Sequence, residues 1–189
     1  MSKISAVDVK RLWYADEADL ASALTSTVTA TILASLYGAL TASSLATGFA
    51  EILNVHQDTW TFEESEAQQD FYKNQLTGQV YRASRKTAGD VTVNFTIGQY
   101  DYTTKAAILG GTVIGDNKGW ARPKRAESKY KSVIFLTDDD QLCVIPHANF
   151  NGREADADKG LGLAVTAQEM EPLDGNLLPE YWYDASVSA

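Results

Sequence analysis

Residues 90–111 constrain the fold more than any other stretch, because their periodicity changes halfway along. In the first half, apolar and polar residues alternate strictly, which is the pattern of a strand with one buried face. The apolar set is Val91, Val93, Phe95 and Ile97, and the polar set is Thr92, Asn94 and Thr96. The sequence therefore predicts a strand that gives one face to a core and leaves the other polar.

The second half of this stretch has the pattern of a short helix. Asp101 is a favoured N-cap residue, and the pair Gly110-Gly111 is typical of a helix end. Between them, apolar residues at i, i+4 and i+7 are Tyr102, Ala106 and Leu109. We expect an amphipathic helix that packs this face on the sheet carrying the strand.

The N-terminal third is less regular. Residues 7–14 predict a first strand, and Asp16 is the expected N-cap of an N-terminal helix with acidic residues in its first turn. Residues 25–50 combine strand-like alternation with a helix-like i+4 spacing. Neither pattern prevails, so we interpret this segment as a long loop or arm.

The later part of the chain predicts hairpins. Two nearly continuous apolar runs, residues 132–136 and 141–145, flank TDDD, which is a turn signal between two central strands. Pro146 is expected to end that pairing, and residues 147–154 and 161–169 to form the next. Seven or eight strands favour a mainly β fold: one domain, residues 1–189, as an antiparallel β-sandwich or barrel with a flanking short helix and an N-terminal helix.

The charge balance is acidic, with one basic exception. The 189 residues include 16 Lys and Arg against 25 Asp and Glu, a net charge of −9, which disfavours a protein that grips phosphates. Residues 112–131 form a long, Gly-rich loop or arm that runs against this balance. Its cations are Lys118, Arg122, Lys124, Arg125, Lys129 and Lys131.

Three interpretations of that basic loop are open. It could be a solvated loop, or it could bind nucleic acid with Trp120 and Tyr130 as stacking groups. We favour contact with an acidic face of a neighbouring copy, because an acidic chain supplies such faces readily.

No pattern predicts a catalytic centre. Asp138, Asp139 and Asp140 are adjacent on a turn, where Asp is favoured for its backbone chemistry. The single cysteine, Cys143, lies in an apolar run and reads as a small core residue. The chain also lacks the glycine-rich phosphate-binding and nucleophile-elbow motifs. We therefore expect no enzyme and no cofactor.

A metal site is not expected either. Glu154, Asp156 and Asp158 have the spacing of a calcium loop, but Lys159 and Val165 stand where that loop needs a glycine and a bidentate glutamate. The two histidines, His56 and His147, fall in different hairpins. The N-terminus is too polar for a secretory signal, and residues 28–40 are too short and interrupted for a membrane span. We expect a chain made in the cytoplasm.

The order of the predicted strands and helix resembles that of a known protein family. It consists of VHQDTWTFEESEAQQDFYKNQLTGQVYR, then GDVTVNFTIGQYDYTTKAAILGGTV, a charged loop, and KSVIFLTDDDQLCVIPHANFNGREADADKGLGLAVTAQEMEP. This succession, over residues 54–183, resembles the tail tube proteins of long-tailed bacteriophages and related prophages. Residues 25–47 depart from that pattern as an insertion or arm.

The resemblance implies a structural role in a virion tail, for a protein made in the cytoplasm of a bacterial host. In the family, six protomers form a ring with a β-barrel inner wall. Rings stack around a tape-measure protein, and DNA later passes through without specific binding. Thr92, Asn94 and Thr96 would then line a wet lumen, and long polar loops would hold one ring to the next.

Two alternatives remain beside this expectation. One is another tube-forming component of a virion or a secretion system. The other is a β-sandwich module that binds a sugar or peptide in an aromatic-lined pocket, built from Trp120 or from the cluster Tyr181, Trp182 and Tyr183.

Overall fold

The computed structural model describes residues 8–24, 27–157 and 160–186. Within these ranges the chain is mainly β, as the sequence predicts, and antiparallel throughout its main sheet. Its helices are α1 (Glu17–Ala23), α2 (Ala30–Thr41) and α3 (Tyr102–Leu109). Its strands are β1 (Val9–Ala15), β2 (Phe49–Ile52), β3 (Thr61–Glu64), β4 (Phe71–Lys73), β5 (Val80–Ala83), β6 (Val91–Ile97), β7 (Thr112–Ile114), β8 (Gly119–Ala121), β9 (Lys129–Thr137), β10 (Gln141–Ala157), β11 (Gly160–Glu169) and β12 (Tyr181–Asp184).

Eight strands form one curled antiparallel sheet. Its order is β2-β1-β9-β10-β11-β6-β3, and β12 pairs with the first part of β10. The curl brings the edge strand β3 back over the middle of the sheet, where the rings of Trp60 and Phe135 lie 4.9 Å apart. Two small hairpins, β4-β5 and β7-β8, stand outside this sheet.

Two apolar clusters cover opposite faces of the sheet. The inner core lies in the curl and includes Leu12, Val93, Phe95, Ile108, Phe135, Ile145, Phe150 and Val165. The second core lies under α1 and α2 and includes Trp13, Leu20, Leu24, Leu36, Leu40, Ile134, Leu142 and Val144. The strands between them are apolar on both faces, which accounts for the continuous apolar runs at residues 132–136 and 141–145.

The prediction for β6 is confirmed. Its burial alternates from end to end, with the apolar set in the inner core and the polar set half-buried on the opposite face. Val93 is fully buried between Ala167 of β11 and Phe62 of β3.

The ends predicted for α3 are confirmed, but of its predicted apolar face only Leu109 packs against the inner core. The Asp101 carboxylate accepts a hydrogen bond from the Thr104 amide at 2.7 Å, and Gly110 closes the helix with φ of 77°. The buried residues are Lys105 and Ile108, whereas Tyr102 is 41% exposed. A lysine is buried here because Glu154 of β10 neutralises it.

Close packing of α3 on β10 depends on Gly152. A methyl group at that position would lie 2.5 Å from Cγ2 of Ile108. The helix therefore approaches the strand backbone more closely than a side chain would allow.

The 137–141 hairpin is confirmed, with Asp140 at φ of 58° in its turn. The expectation that Pro146 ends the pairing is wrong, because β10 continues through it to Ala157. Pairing with β9 shifts register between Ile145 and Ala148, so the proline lies at an irregularity where its missing N–H is not needed. Its carbonyl accepts a hydrogen bond from the Ser132 hydroxyl at 2.6 Å.

Residues 25–50 are not a loop throughout, and that interpretation is wrong for α2 and β2. Thr29 caps α2 by accepting from the Ile32 amide, and Leu33, Leu36 and Leu40 are buried against the sheet. Residues 112–131 likewise contain the β7-β8 hairpin and the start of β9. No helix in the described ranges is long and apolar enough to cross a bilayer.

Candidate functional site

The face of the sheet opposite the inner core is polar over β3, β6, β11 and the later part of β10. We call this surface the polar sheet face. Strand registers place its residues in cross-strand rows. Its members are Thr61, Glu63, Thr92, Asn94, Thr96, Asn149, Asn151, Arg153, Ala164, Thr166 and Gln168, and neither apolar cluster contains any of them. The three predicted lumen residues therefore lie together on one surface.

Side-chain hydrogen bonds tie the strands together across this face. The Asn94 amide nitrogen donates to the Thr61 hydroxyl at 3.0 Å, and the Thr166 hydroxyl donates to the Asn94 oxygen at 2.8 Å. The Thr59 hydroxyl accepts from the Thr96 amide at 3.0 Å. These bonds fix the register of β3, β6 and β11 in a region without a covering apolar layer.

The polar sheet face is weakly charged, with Glu63 and Arg153 as its charged members. Its acidic end is a shallow depression where Glu63, Glu64 and Asp90 surround Thr92. Its other end carries Arg153, which also lines a groove described below. Hydroxyl and amide groups thus dominate this surface.

The β4-β5 hairpin projects from the body and pairs with no other strand in the described ranges. Every residue of both strands is exposed. Apolar side chains on it include Leu76, which is 94% exposed, and Phe71, which is 60% exposed, together with Tyr72, Val80 and Tyr81. An isolated two-stranded hairpin is marginal in water, and clustered exposed apolar groups mark interaction surfaces.

The six predicted cations of the basic loop do not form one cluster. Arg122 pairs with Glu154 at 2.9 Å, Lys129 with Glu127 at 2.9 Å, and Lys131 with Asp16 at 2.5 Å. Lys129 and Lys131 belong to β9 rather than to a loop. Lys118, Lys124 and Arg125 form no ion pair with any described residue.

Part of the basic segment borders a groove of about 470 Å³, which we call the arginine groove. Its walls come from Leu109, Trp120, Arg122, Pro123, Arg125 and Arg153, with Gly152 and Glu154 between them. Trp120 is held by a hydrogen bond from Nε1 to the Gly110 carbonyl at 2.8 Å. Sequence reasoning missed Arg153, since only the fold brings β10 beside the loop.

The carboxylate in the groove is already neutralised. Lys105 and Arg122 both contact Glu154, and the Lys105 hydrogen bond is the main cause of a Glu154 pKa below its ordinary value. The Lys105 ammonium also lies 4.3 Å from the centre of the Trp120 ring. The other cations of the groove, Arg125 and Arg153, are exposed and form no ion pair with a described residue.

The charges of three carboxylates, those of Glu64, Glu169 and Glu180, interact near one end of the inner core. Burial, and then the charges of Glu180 and Glu64, raise the pKa of Glu169 to about 7. Glu180 accepts a hydrogen bond from the Trp182 indole. We therefore expect the stability of the fold to depend on pH near neutrality.

The remaining sequence candidates occupy structural positions. Cys143 is buried, and burial raises the pKa of its thiol well above the ordinary value. His147 is buried, with Nδ1 at 2.6 Å from the Glu17 carboxylate. In the described ranges, no three His, Cys, Asp or Glu side chains come together as metal ligands do. Asp158 and Lys159, from the calcium-like spacing, lie outside those ranges.

The C-terminal aromatics are divided between the two cores. Trp182 packs against the inner core, whereas Tyr181 and Tyr183 pack against the core under the helices. Strand β12 thus closes both cores at once. Trp120 is the aromatic residue of this group that borders a groove.

Comparison with known proteins gives no relative: no protein-family model matches the sequence, and no curated protein is similar to it.

Proposed function

We propose that this protein is a self-assembling structural subunit of a phage tail tube, in which rings of copies stack into a conduit for DNA. The observation that carries the proposal is the β4-β5 hairpin. It exposes several large apolar side chains and pairs with no other strand within the described ranges. Such a hairpin gains order and burial when another chain covers it.

The polar sheet face supports the conduit part of the proposal. In a ring, this face would form the inner wall, with Thr92, Asn94 and Thr96 towards the lumen. Hydroxyl and amide side chains would keep such a wall hydrated. Because the wall carries few cations, it would not bind the phosphates of passing DNA firmly. The acidic patch at Glu63, Glu64 and Asp90 would repel a passing polyanion.

The open sheet supports ring formation. Strands β2 and β3 end the strand order of the sheet, and they do not pair with each other. Edge strands have unpaired backbone groups, which a neighbouring copy could satisfy. The same surfaces would suit a tube of a secretion system, and the genes beside this one would separate the two contexts.

The test is electron microscopy of concentrated protein, with a hairpin variant. We expect the wild type to form rings or tubes of uniform bore. Replacing Phe71 and Leu76 by serine should reduce assembly at least about tenfold, since each apolar side chain contributes roughly 1.5–3 kcal/mol when buried. The fold should remain, because the hairpin contributes nothing to either core.

Leu178→Ser is the matched control, because Leu178 is 62% exposed but lies outside the hairpin and outside strands β2 and β3. It should leave assembly near the wild-type level. A wild type that stays monomeric at every concentration would refute the proposal. Equal assembly of the hairpin variant and the wild type would show that the hairpin is not the contact.

A further inference from the structure

We propose that the arginine groove binds residues 170–174 of a second copy, with Leu173 in the groove and carboxylates against the arginines. This contact rests on the proposed self-assembly and specifies one of its interfaces.

The first argument is the charge that the groove leaves unmatched. Arg125 and Arg153 form no ion pair or hydrogen bond with described side chains, while Glu154 is neutralised by Lys105 and Arg122. Guanidinium groups bind carboxylates through paired hydrogen bonds. In a chain with net charge −9, this local excess of cations fits an acidic surface of the same protein.

The second argument is the shape and polarity of the groove. Its volume of about 470 Å³ is much larger than a small ion needs, and Leu109, Trp120 and Pro123 give it apolar walls. It follows the edge of β10 beyond Phe150, the last residue that pairs with β9. An occupant therefore has to bring apolar side chains and a backbone as well as negative charge.

Residues 170–174 (MEPLD) have this combination. Leu173 is 80% exposed and lies between Glu171 and Asp174. No Lys or Arg occurs anywhere in residues 160–186, so nothing in that part of the chain competes for these carboxylates. The acidic turn at residues 138–140, by contrast, has no exposed apolar side chain, and Lys10 already pairs with its Asp140 at 2.8 Å.

The segment is also held in place before binding. The Leu173 amide donates to the Glu17 carboxylate at 2.6 Å, and Pro172 is buried. Asp174 accepts hydrogen bonds from the Asn176 amide at 3.0 Å and its side chain at 2.8 Å. A fixed backbone reduces the entropy lost on binding. None of these residues lines the groove of the same chain, so the segment that occupies the groove in this proposal belongs to a second copy.

The experiment is a charge exchange, measured as the critical concentration for assembly by sedimentation and microscopy. Arg125→Glu and Glu171→Arg should each raise that concentration at least about tenfold, in line with the coupling of close charge pairs. The double variant should recover most of the loss. Arg125→Glu combined with Asp138→Arg is the matched control and should not recover it.

Leu173→Ser tests the apolar part, with Leu178→Ser as its control on a neighbouring exposed leucine. Thermal unfolding of each variant by circular dichroism should match the wild type, because the exchanged side chains are exposed. If the wild type assembles and Arg125→Glu assembles equally well, the groove contact is refuted and self-assembly stands. The groove contact is also refuted if the double variant Arg125→Glu with Glu171→Arg fails to restore assembly. If the wild type never assembles, both proposals fall.

Discussion

Opposite substitutions at two adjacent residues of β6 test the assignment of its faces. Val93 lies in the inner core and Thr92 on the polar sheet face. We expect Val93→Asp to unfold the protein and Thr92→Lys to leave it folded.

The cost of Val93→Asp follows from its surroundings. The side chain is 0% exposed and lies between Phe62 and Ala167 on the neighbouring strands. Losing its burial costs roughly 1.5–3 kcal/mol. An aspartate there either stays charged in an apolar site or takes up a proton, which adds at least about 2 kcal/mol. The total, at least roughly 3.5–5 kcal/mol, approaches the entire stability of many domains.

The cost of Thr92→Lys is small. Thr92 is half-buried, and its partners across the strands are Gln168 and Glu63. A lysine there keeps its ammonium in water, and the facing glutamate contributes roughly 0.2–1 kcal/mol. We therefore expect a change in the free energy of unfolding within about 0.5 kcal/mol.

Urea unfolding followed by circular dichroism measures both values. The Thr92→Lys protein should unfold at nearly the wild-type midpoint, whereas Val93→Asp should lack a cooperative transition at neutral pH. Lower pH should partly restore Val93→Asp, because the protonated side chain is cheaper to bury. Equal losses for the two variants would show that the two faces are assigned wrongly. A tolerated Val93→Asp would show the same.

Three further predictions concern packing, pH and reactivity. Gly152→Ala should lower the free energy of unfolding in urea by roughly 1–3 kcal/mol, because the added methyl group would lie 2.5 Å from Ile108. Gly38→Ala is its control: this glycine of α2 has open space around it, so the substitution should stabilise the protein by about 0.5–1 kcal/mol. The pKa of Glu169 is raised in the folded state, so its contribution to stability is full below the ordinary 4.5 and is lost as pH rises through about 7. Glu169→Gln should remove this pH dependence from the thermal midpoint. The change in stability that it removes is about 1–2 kcal/mol, after allowance for solvent screening. Cys143 should react with a thiol reagent at the rate of unfolding, and a fast reaction in the native protein would contradict its burial.

The sequence predicted the parts of the fold that local chemistry decides. Strand β6 follows from alternation alone, because one face is buried along its whole length. The ends of α3 follow from Asp101 and the paired glycines, which act within a few residues. The turn at residues 138–140 is likewise local.

The parts that failed depend on distant partners. The buried face of α3 includes Lys105, which pairs with a glutamate 49 residues away. Residues 30–41 are helical because the second core receives their leucines, whereas alternation and i+4 spacing were equally present in the sequence. Strand β10 continues through Pro146 because its register with β9 shifts at that position. The arginine groove joins the basic loop to β10, so no spacing in the sequence could indicate it.

The hairpin and the arginine groove, if both hold copies together, respond to salt in opposite directions. Contact through Phe71 and Leu76 is apolar, and excluded salts such as sulfate strengthen it. Contact through Arg125 and Glu171 is ionic, and the screening length falls from about 10 Å at 0.1 M to about 3 Å at 1 M salt.

Sodium chloride should therefore weaken wild-type assembly and have little effect on the charge-neutral double variant Arg125→Gln with Glu171→Gln. The remaining assembly of that double variant should depend on the hairpin, so adding Phe71→Ser and Leu76→Ser should abolish it. If sodium chloride weakens assembly equally with and without the two charges, the ionic contact lies elsewhere on the surface.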